Sequence, residues 1–127
     1  MKNSKKEILI VDDSATNVFL IESVLTEYGF ITISASNAKE AYKAIDKKKP
    51  DLILLDLLMP QISGFDFIKT IKQNPKHQTI PIIAVSAITD EDSISEIISL
   101  GADIFINKPI IISDLIEKIN SIFSVTK

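Results

Sequence analysis

Five short apolar runs alternate with five stretches of helical period, and this alternation restricts the possible folds more than any other feature of the chain. The runs have the length of strands, are rich in β-branched residues, and cover residues 8–11, 31–33, 52–55, 82–85 and 104–106. Three of them are continuously apolar, as expected for strands covered by helices on both faces. The sequence therefore predicts an α/β fold in which helices flank a parallel five-stranded sheet.

Start and stop signals give approximate bounds for the five helices. We expect them to run from about Ala15 to Tyr28 with Gly29 as the stop, from a cap at Ser36 to before Pro50, from near Gly64 until Asn74, from around Asp90 until Gly101, and onwards from Ser113 or its neighbour. The helical period places Tyr28 on the inward face of the first helix, Phe65 on that of the third and Ile98 on that of the fourth.

Length and composition suit one globular domain. The 127 residues are 46% hydrophobic and 24% charged, so we expect residues 1–127 to form a single domain, with residues 1–5 and 125–127 loosely ordered. Cysteine is absent, which excludes a disulfide framework and a thiolate site. No apolar run has the length of a membrane span, and the basic first residues lack the apolar region of a signal peptide. We therefore expect a cytoplasmic protein without membrane contact.

The charge balance argues against direct binding to nucleic acid. The net charge is −3, and all 14 basic residues are lysines. A chain without arginine lacks the bidentate guanidinium groups that read base edges most specifically. His77 lies in a polar loop segment, where we expect a surface residue rather than a phosphoryl carrier.

Chemically active side chains follow four of the five predicted strands at their carboxyl ends. Asp12 and Asp13 follow the first strand, and Asp56 follows the third. Ser86 follows the fourth strand, and Lys108 comes shortly after the fifth. Because binding sites in open parallel sheets form outside the carboxyl ends of the strands, we expect these side chains to lie together.

Such a cluster predicts a metal site and a phosphoryl acceptor. Two carboxylates about 4 Å apart repel each other by roughly 4 kcal/mol at an effective dielectric constant near 20, so cations must compensate. Lys108 supplies one positive charge, and Mg²⁺ suits the remaining oxygen ligands better than zinc does. Asp56 is the best placed nucleophile towards phosphorus, while Asp12 and Asp13 are better metal ligands. Lys108 and Ser86 would then contact the oxygens of the phosphoryl group.

Four segments match a known family. They are ILIVDDS (8–14), DLILLDLLMPQISGF (51–65), PIIAVSA (81–87) and GADIFINKP (101–109). With these segments the chain resembles the receiver domains of bacterial two-component response regulators, including the single-domain chemotaxis and sporulation types. The resemblance implies a flavodoxin-like fold with strand order 2-1-3-4-5, a cis peptide bond between Lys108 and Pro109, and a bound Mg²⁺.

The resemblance also implies roles for individual residues. Asp13 and Asp56 would ligate Mg²⁺ through their carboxylates, Leu58 through its backbone carbonyl, and Asp12 through a water molecule. On phosphorylation, Ser86 would move towards the phosphoryl group and the ring of Phe105 would turn inward.

Partners are implied as well. The phosphoryl donor would be a phosphohistidine on a sensor histidine kinase or a histidine phosphotransfer protein. The switch would change a face built from helix four, strand five and helix five, which would bind a downstream protein target. That face would also allow a weak dimer of an otherwise monomeric chain. The domain would be a stoichiometric phosphoacceptor in signal transduction rather than a classical enzyme.

Three other functions are less consistent with the sequence. A flavin-binding flavodoxin needs a loop after strand one that accepts phosphate, whereas Asp12 and Asp13 would repel one. A phosphatase of the haloacid dehalogenase type places its nucleophile after strand one in a D-x-D pattern, which the adjacent aspartates do not form. A receiver that acts unphosphorylated as a binding module has no support from the sequence, since every expected site position carries a suitable residue.

Overall fold

The computed structural model describes residues 5–57, 64–87 and 90–125. Strands and helices alternate along this part of the chain as predicted. They are β1 (Glu7–Val11), α1 (Ala15–Glu27), β2 (Ile31–Ala35), α2 (Ala38–Lys47), β3 (Leu52–Asp56), α3 (Gly64–Gln73), β4 (Ile82–Ser86), α4 (Glu91–Ser99), β5 (Ile104–Asn107) and α5 (Ile112–Val125). None of the helices in the described ranges is both long and apolar enough to cross a bilayer.

All strand pairs are parallel, and the strand order is β2-β1-β3-β4-β5, which confirms the predicted fold. Every residue of β1, β3 and β4 is buried, because these strands lie inside the sheet and helices cover both of their faces. The edge strands β2 and β5 are partly exposed. The three continuously apolar runs in the sequence therefore correspond to the three interior strands.

Alternate residues of the strands divide the core into two layers. Leu9, Leu55 and Ala84 face one side of the sheet and pack with the buried residues of α2, α3 and α4. Ile10 and Leu54 face the other side and pack with α1 and α5. Because side chains alternate along each strand, one run of apolar residues supplies both layers.

Two expectations about α1 and α2 are wrong. Tyr28 is not on the core face: it is the C-terminal cap of α1 and is 56% exposed, since the chain turns at Gly29 with φ at 94°. The N-cap of α2 is Asn37 rather than Ser36, and its Oδ1 accepts from the amide of Glu40 at 2.8 Å. Ser36 donates instead from its amide and its hydroxyl to the carboxylate of Glu40, which completes a reciprocal capping arrangement.

The inward faces of α3 and α4 differ from expectation only at their margins. Phe67 fills the core under α3, whereas Phe65 only packs against its margin. On α4 the buried residue is Ile97, and Ile98 is 44% exposed. Periodicity alone does not fix the phase of a short helix to within one residue when several neighbouring positions are apolar.

Gly101 is needed where α4 leads into β5. Its φ is 123°, and a Cβ at this position would lie 2.5 Å from Cγ of Lys72. Lys72 is held there because its Nζ donates to the carbonyl of Ile80 at 2.7 Å and lies 3.5 Å from Oδ2 of Asp103. The glycine thus avoids both a backbone penalty and a collision with an anchored side chain.

Gly101→Ala is therefore expected to lower the free energy of unfolding by roughly 2–3 kcal/mol, as measured by urea denaturation. Gly29→Ala is the matched control: its φ is also positive, at 94°, but nothing lies within 4 Å of the added Cβ. The control should cost only the backbone penalty, about 1 kcal/mol. Equal losses in the two variants would show that the contact with Lys72 has no effect on stability.

Candidate functional site

Three carboxylates meet at the carboxyl edge of the sheet, as predicted. β1 and β3 are neighbours in register, with Val11 beside Leu55, so Asp12 follows β1 next to Asp56 at the end of β3. One oxygen from each of Asp12, Asp13 and Asp56 lies within 4.8 Å of the other two. Asp12 and Asp56 are each only 6% exposed, whereas Asp13 faces solvent.

Backbone hydrogen bonds to neighbouring strands hold the chain at Asp12 and at Lys108. The amide of Asp12 donates to the carbonyl of Ala35 at 3.0 Å, one residue beyond the end of β1. On the other side, the amide of Lys108 donates to the carbonyl of Ser86 at 2.9 Å. The acids and the lysine are therefore carried by the most regular part of the fold, which keeps their relative positions fixed.

Lys108 and Ser86 complete the predicted set. The Nζ atom of Lys108 lies 3.3 Å from Oδ1 of Asp56, and the lysine side chain is 31% exposed. Ser86 ends β4 and is fully buried. The peptide bond between Lys108 and Pro109 is cis, as the family resemblance implied. The predicted ligand Leu58 lies outside the described residues.

The first turn of α1 orients Asp12. The amide of Ser14 donates to Oδ1 of Asp12 at 2.9 Å, and the Ser14 hydroxyl caps the helix by accepting from the amide of Asn17 at 3.3 Å. Burial raises the pKa of Asp12, and the Ser14 amide opposes this rise. The charges of Asp56 and Asp13 raise the pKa further, while Lys108 lowers it. An ionised Asp12 is thus less favourable in the folded chain than in the unfolded chain.

Asp12→Asn should consequently stabilise the metal-free protein by about 1 kcal/mol at neutral pH, as measured by urea denaturation with a chelator. Because the folded chain holds the Asp12 proton more tightly than the unfolded chain, the cost of ionisation is present at neutral pH. That cost disappears as the pH falls through the raised pKa, so the variant's advantage should disappear with it.

The matched comparison is Asp13→Asn, which should gain less because Asp13 is exposed. Added Mg²⁺ should stabilise the wild type more than either variant, since each has lost a candidate ligand. An Asp12→Asn protein that is less stable than the wild type without metal would contradict this account of the site.

The donor set fits Mg²⁺. All three groups are carboxylates, and a hard divalent cation prefers such oxygen ligands. Two of the acids are buried, so their repulsion is poorly screened by solvent, and a bound cation would remove it. The exposure of Asp13 leaves one side of the cluster open to water and to phosphate oxygens.

A cavity of about 740 Å³, which the sequence did not predict, lies beside the acids. Asp12, Asp56 and Lys108 contribute to its lining, and Asn17 is the other residue there with a hydrogen-bonding side chain. The remaining walls are apolar and come from the sheet, from α1 and from the segment after β5, where Ile110 lines the cavity. Helical spacing could have indicated Asn17, which lies four residues before Ile21 on α1. Helical spacing could not have shown that Asn17 shares this cavity with Lys108.

Comparison with known proteins identifies the family. Residues 8–120 match the response regulator receiver domain. The chain belongs to this family. Receiver domains are signalling domains of two-component systems that accept phosphoryl groups from histidine kinases, and they bind Mg²⁺ through acidic residues. This membership favours the phosphoacceptor prediction over the flavin-binding and phosphatase alternatives.

Individual relatives agree with this assignment. The polar-differentiation response regulator DivK of Brucella anthropi is 34% identical over 116 residues, which are 91% of this chain and 94% of DivK. The phosphate regulon transcriptional regulatory protein PhoB of Pseudomonas aeruginosa is 35% identical over 117 residues, but this receiver domain spans only 51% of PhoB. Among solved structures, the signal receiver domain of a histidine kinase from Syntrophus aciditrophicus has a TM-score of 0.88 and 34% identity, covering 96% of this chain and 92% of its own.

Proposed function

We propose that this receiver domain accepts a phosphoryl group on Asp56 from a phosphohistidine on a sensor histidine kinase or a histidine phosphotransfer protein. The observation that carries the proposal is the position of Asp56: it is buried, belongs to the acidic cluster, and lies 3.3 Å from the ammonium group of Lys108. No other acid in the described residues combines a carboxylate cluster with a neighbouring lysine in this way.

The metal ligands are part of the proposal. Asp13 and Asp56 would bind Mg²⁺ with their carboxylates, Asp12 would act through water, and Leu58 would offer its backbone carbonyl. Bound Mg²⁺ supplies positive charge that neutralises the acids and the incoming phosphate oxygens. The exposed position of Asp13 and the buried position of Asp12 are consistent with different roles for the two acids.

In the transfer step, a carboxylate oxygen of Asp56 forms a bond to phosphorus while the bond from phosphorus to the histidine nitrogen breaks. The electron pair of that bond goes to the leaving imidazole. The Lys108 ammonium group, already beside Asp56, would stabilise the negative charge on the phosphoryl oxygens. Ser86, at the end of the adjacent strand β4, would donate a hydrogen bond to one of them. Each domain takes up one phosphoryl group, so the reaction is stoichiometric.

A switch is also part of the proposal, and the sheet register supports it. Phe105 pairs with Ala84, and both pack in the layer under α4, on the same side of the sheet as Ser86. A shift of Ser86 towards a phosphoryl group would change the space available to the partly buried ring of Phe105. The face formed by α4, β5 and α5 would then bind the downstream protein or form a weak dimer.

The domain organisation and the cellular location of the chain belong to the proposal. We propose that residues 1–127 act as one receiver domain in the cytoplasm and that their output is protein binding. Direct nucleic-acid binding is disfavoured by the net charge of −3 and by the lack of arginine.

Phosphorylation by a small donor tests the function. Wild-type protein incubated with acetyl phosphate and Mg²⁺ should gain about 80 Da by intact mass, and peptide mapping after borohydride reduction should locate the acyl phosphate at Asp56. Omission of Mg²⁺ should suppress the gain. A protein that never gains this mass, or gains it at another residue, would overturn the proposal and favour a receiver that binds its partner unphosphorylated.

A further inference from the structure

Asn17 is the one residue of the cavity lining that has a polar side chain without an assigned task. It lies in the first turn of α1, is half-buried, and shares the cavity with Asp12, Asp56 and Lys108. Its backbone amide is used by Ser14, but its side-chain amide has no hydrogen-bond partner within residues 5–57, 64–87 and 90–125. The carbonyl acceptor and the amide donor of this side chain are therefore not used by the described part of the protein.

The other polar side chains of the cavity are already committed. Lys108 contacts Asp56, and Asp12 accepts from the amide of Ser14. Asp56 is the proposed nucleophile. In phosphoryl transfer the attacking and leaving atoms lie roughly in line, so the leaving imidazole must sit on the far side of phosphorus from Asp56. A ring held there would bury its second nitrogen against mostly apolar walls unless a polar group met it.

We propose that Asn17 recognises the phosphodonor ring: its Oδ1 accepts a hydrogen bond from the N–H of the ring nitrogen that does not carry phosphorus. This inference rests on the proposed function. As the bond from phosphorus to nitrogen breaks, its electron pair stays on the ring, and the proton on the other nitrogen makes the leaving group a neutral imidazole. An acceptor at that proton favours the protonated, reactive form of the donor. Acetyl phosphate has no such ring and gains nothing from Asn17.

The test compares two small donors in the same protein. Second-order rate constants for Asp56 phosphorylation are measured by intact mass with monophosphoimidazole and with acetyl phosphate, both at fixed Mg²⁺ and ionic strength. Asn17→Leu keeps a similar volume but removes the acceptor, and should slow the reaction with monophosphoimidazole about tenfold, the loss typical of one hydrogen bond. The rate with acetyl phosphate should change less than about twofold.

Two further variants sharpen the result. Asn17→Asp keeps an acceptor oxygen and adds a negative charge that strengthens a hydrogen bond from the ring N–H, so the ratio of the monophosphoimidazole rate to the acetyl phosphate rate should not fall below the wild-type ratio. Asn120→Leu makes the same substitution at an exposed position of α5 outside the cavity and should leave both rates unchanged. Since the ratio is taken within one protein, a partly unfolded variant lowers both rates and does not imitate the effect.

Equal slowing with both donors in Asn17→Leu would place the residue at the phosphoryl group or in the fold, and no slowing with either would leave it without a role; each overturns the inference. Both results leave the proposed function intact, since the wild type is still phosphorylated. A wild type that reacts with neither donor would overturn the proposed function and the inference together.

Discussion

Asp56→Asn is expected to abolish phosphorylation by acetyl phosphate, leaving no species about 80 Da heavier in the intact mass spectrum. The amide oxygen that replaces the carboxylate is a far weaker nucleophile, and the amide has no negative charge with which to hold Mg²⁺. Asp13 is the nearest exposed alternative, but it follows β1 and does not lie beside Lys108 in the way that Asp56 does. Loss of the whole signal is therefore the largest effect expected from any single substitution.

The control for this variant is Asp92→Asn, an equally conservative change at an exposed position of α4. Its mass gain should match that of the wild type. The free energy of unfolding shows whether a lost mass gain reflects a lost acceptor or a misfolded protein. Asp56→Asn relieves the repulsion from Asp12 and Asp13 but loses the attraction to Lys108. We therefore expect the free energy of unfolding to change by only about 1 kcal/mol. A mass gain that persists in Asp56→Asn would move the acceptor to another residue.

Lys108→Met is expected to slow phosphorylation by acetyl phosphate about 100-fold while leaving Asp56 as the modified residue. The Nζ atom lies 3.3 Å from Oδ1 of Asp56, in position to meet an incoming phosphoryl oxygen. A positioned charge of this kind, acting in a partly buried site, commonly contributes two to three orders of magnitude in rate. The methionine side chain is similar in length to that of lysine but has neither the positive charge nor the hydrogen-bond donors.

Lys118→Met is a close match for this substitution. Lys118 also pairs with an aspartate, Asp114, at 3.7 Å, but both lie on the exposed side of α5, and such a pair contributes little. Phosphorylation of this variant should proceed at the wild-type rate. If Lys108→Met were equally fast, the ammonium group would have no part in the transfer step and its contact with Asp56 would only balance charge.

The observed fold shows which structural features are encoded in short segments of the sequence. The apolar runs predicted the five strands, and the three interior strands are continuously apolar because helices cover both of their faces. They predicted a parallel sheet but not the order of its strands, which came from the family resemblance and agrees with the structure. The errors concern Tyr28 at the end of α1, the cap of α2 one residue after Ser36, and Ile98 at the margin of the inward face of α4. Small differences in side-chain packing decide such details.

Some features of the site were also predictable from the sequence, and others were decided only by the tertiary structure. The sequence alone was enough to bring Asp12, Asp56 and Lys108 together, because parallel strands deliver their carboxyl ends to one edge of the sheet wherever they fall in the chain. Only the tertiary structure decided that Asp12 is buried while Asp13 is exposed, and that Asn17 shares a cavity with Lys108. These facts depend on how α1 packs beside the segment after β5. That packing is set by side chains that are far apart in the sequence, so no local sequence pattern predicts it.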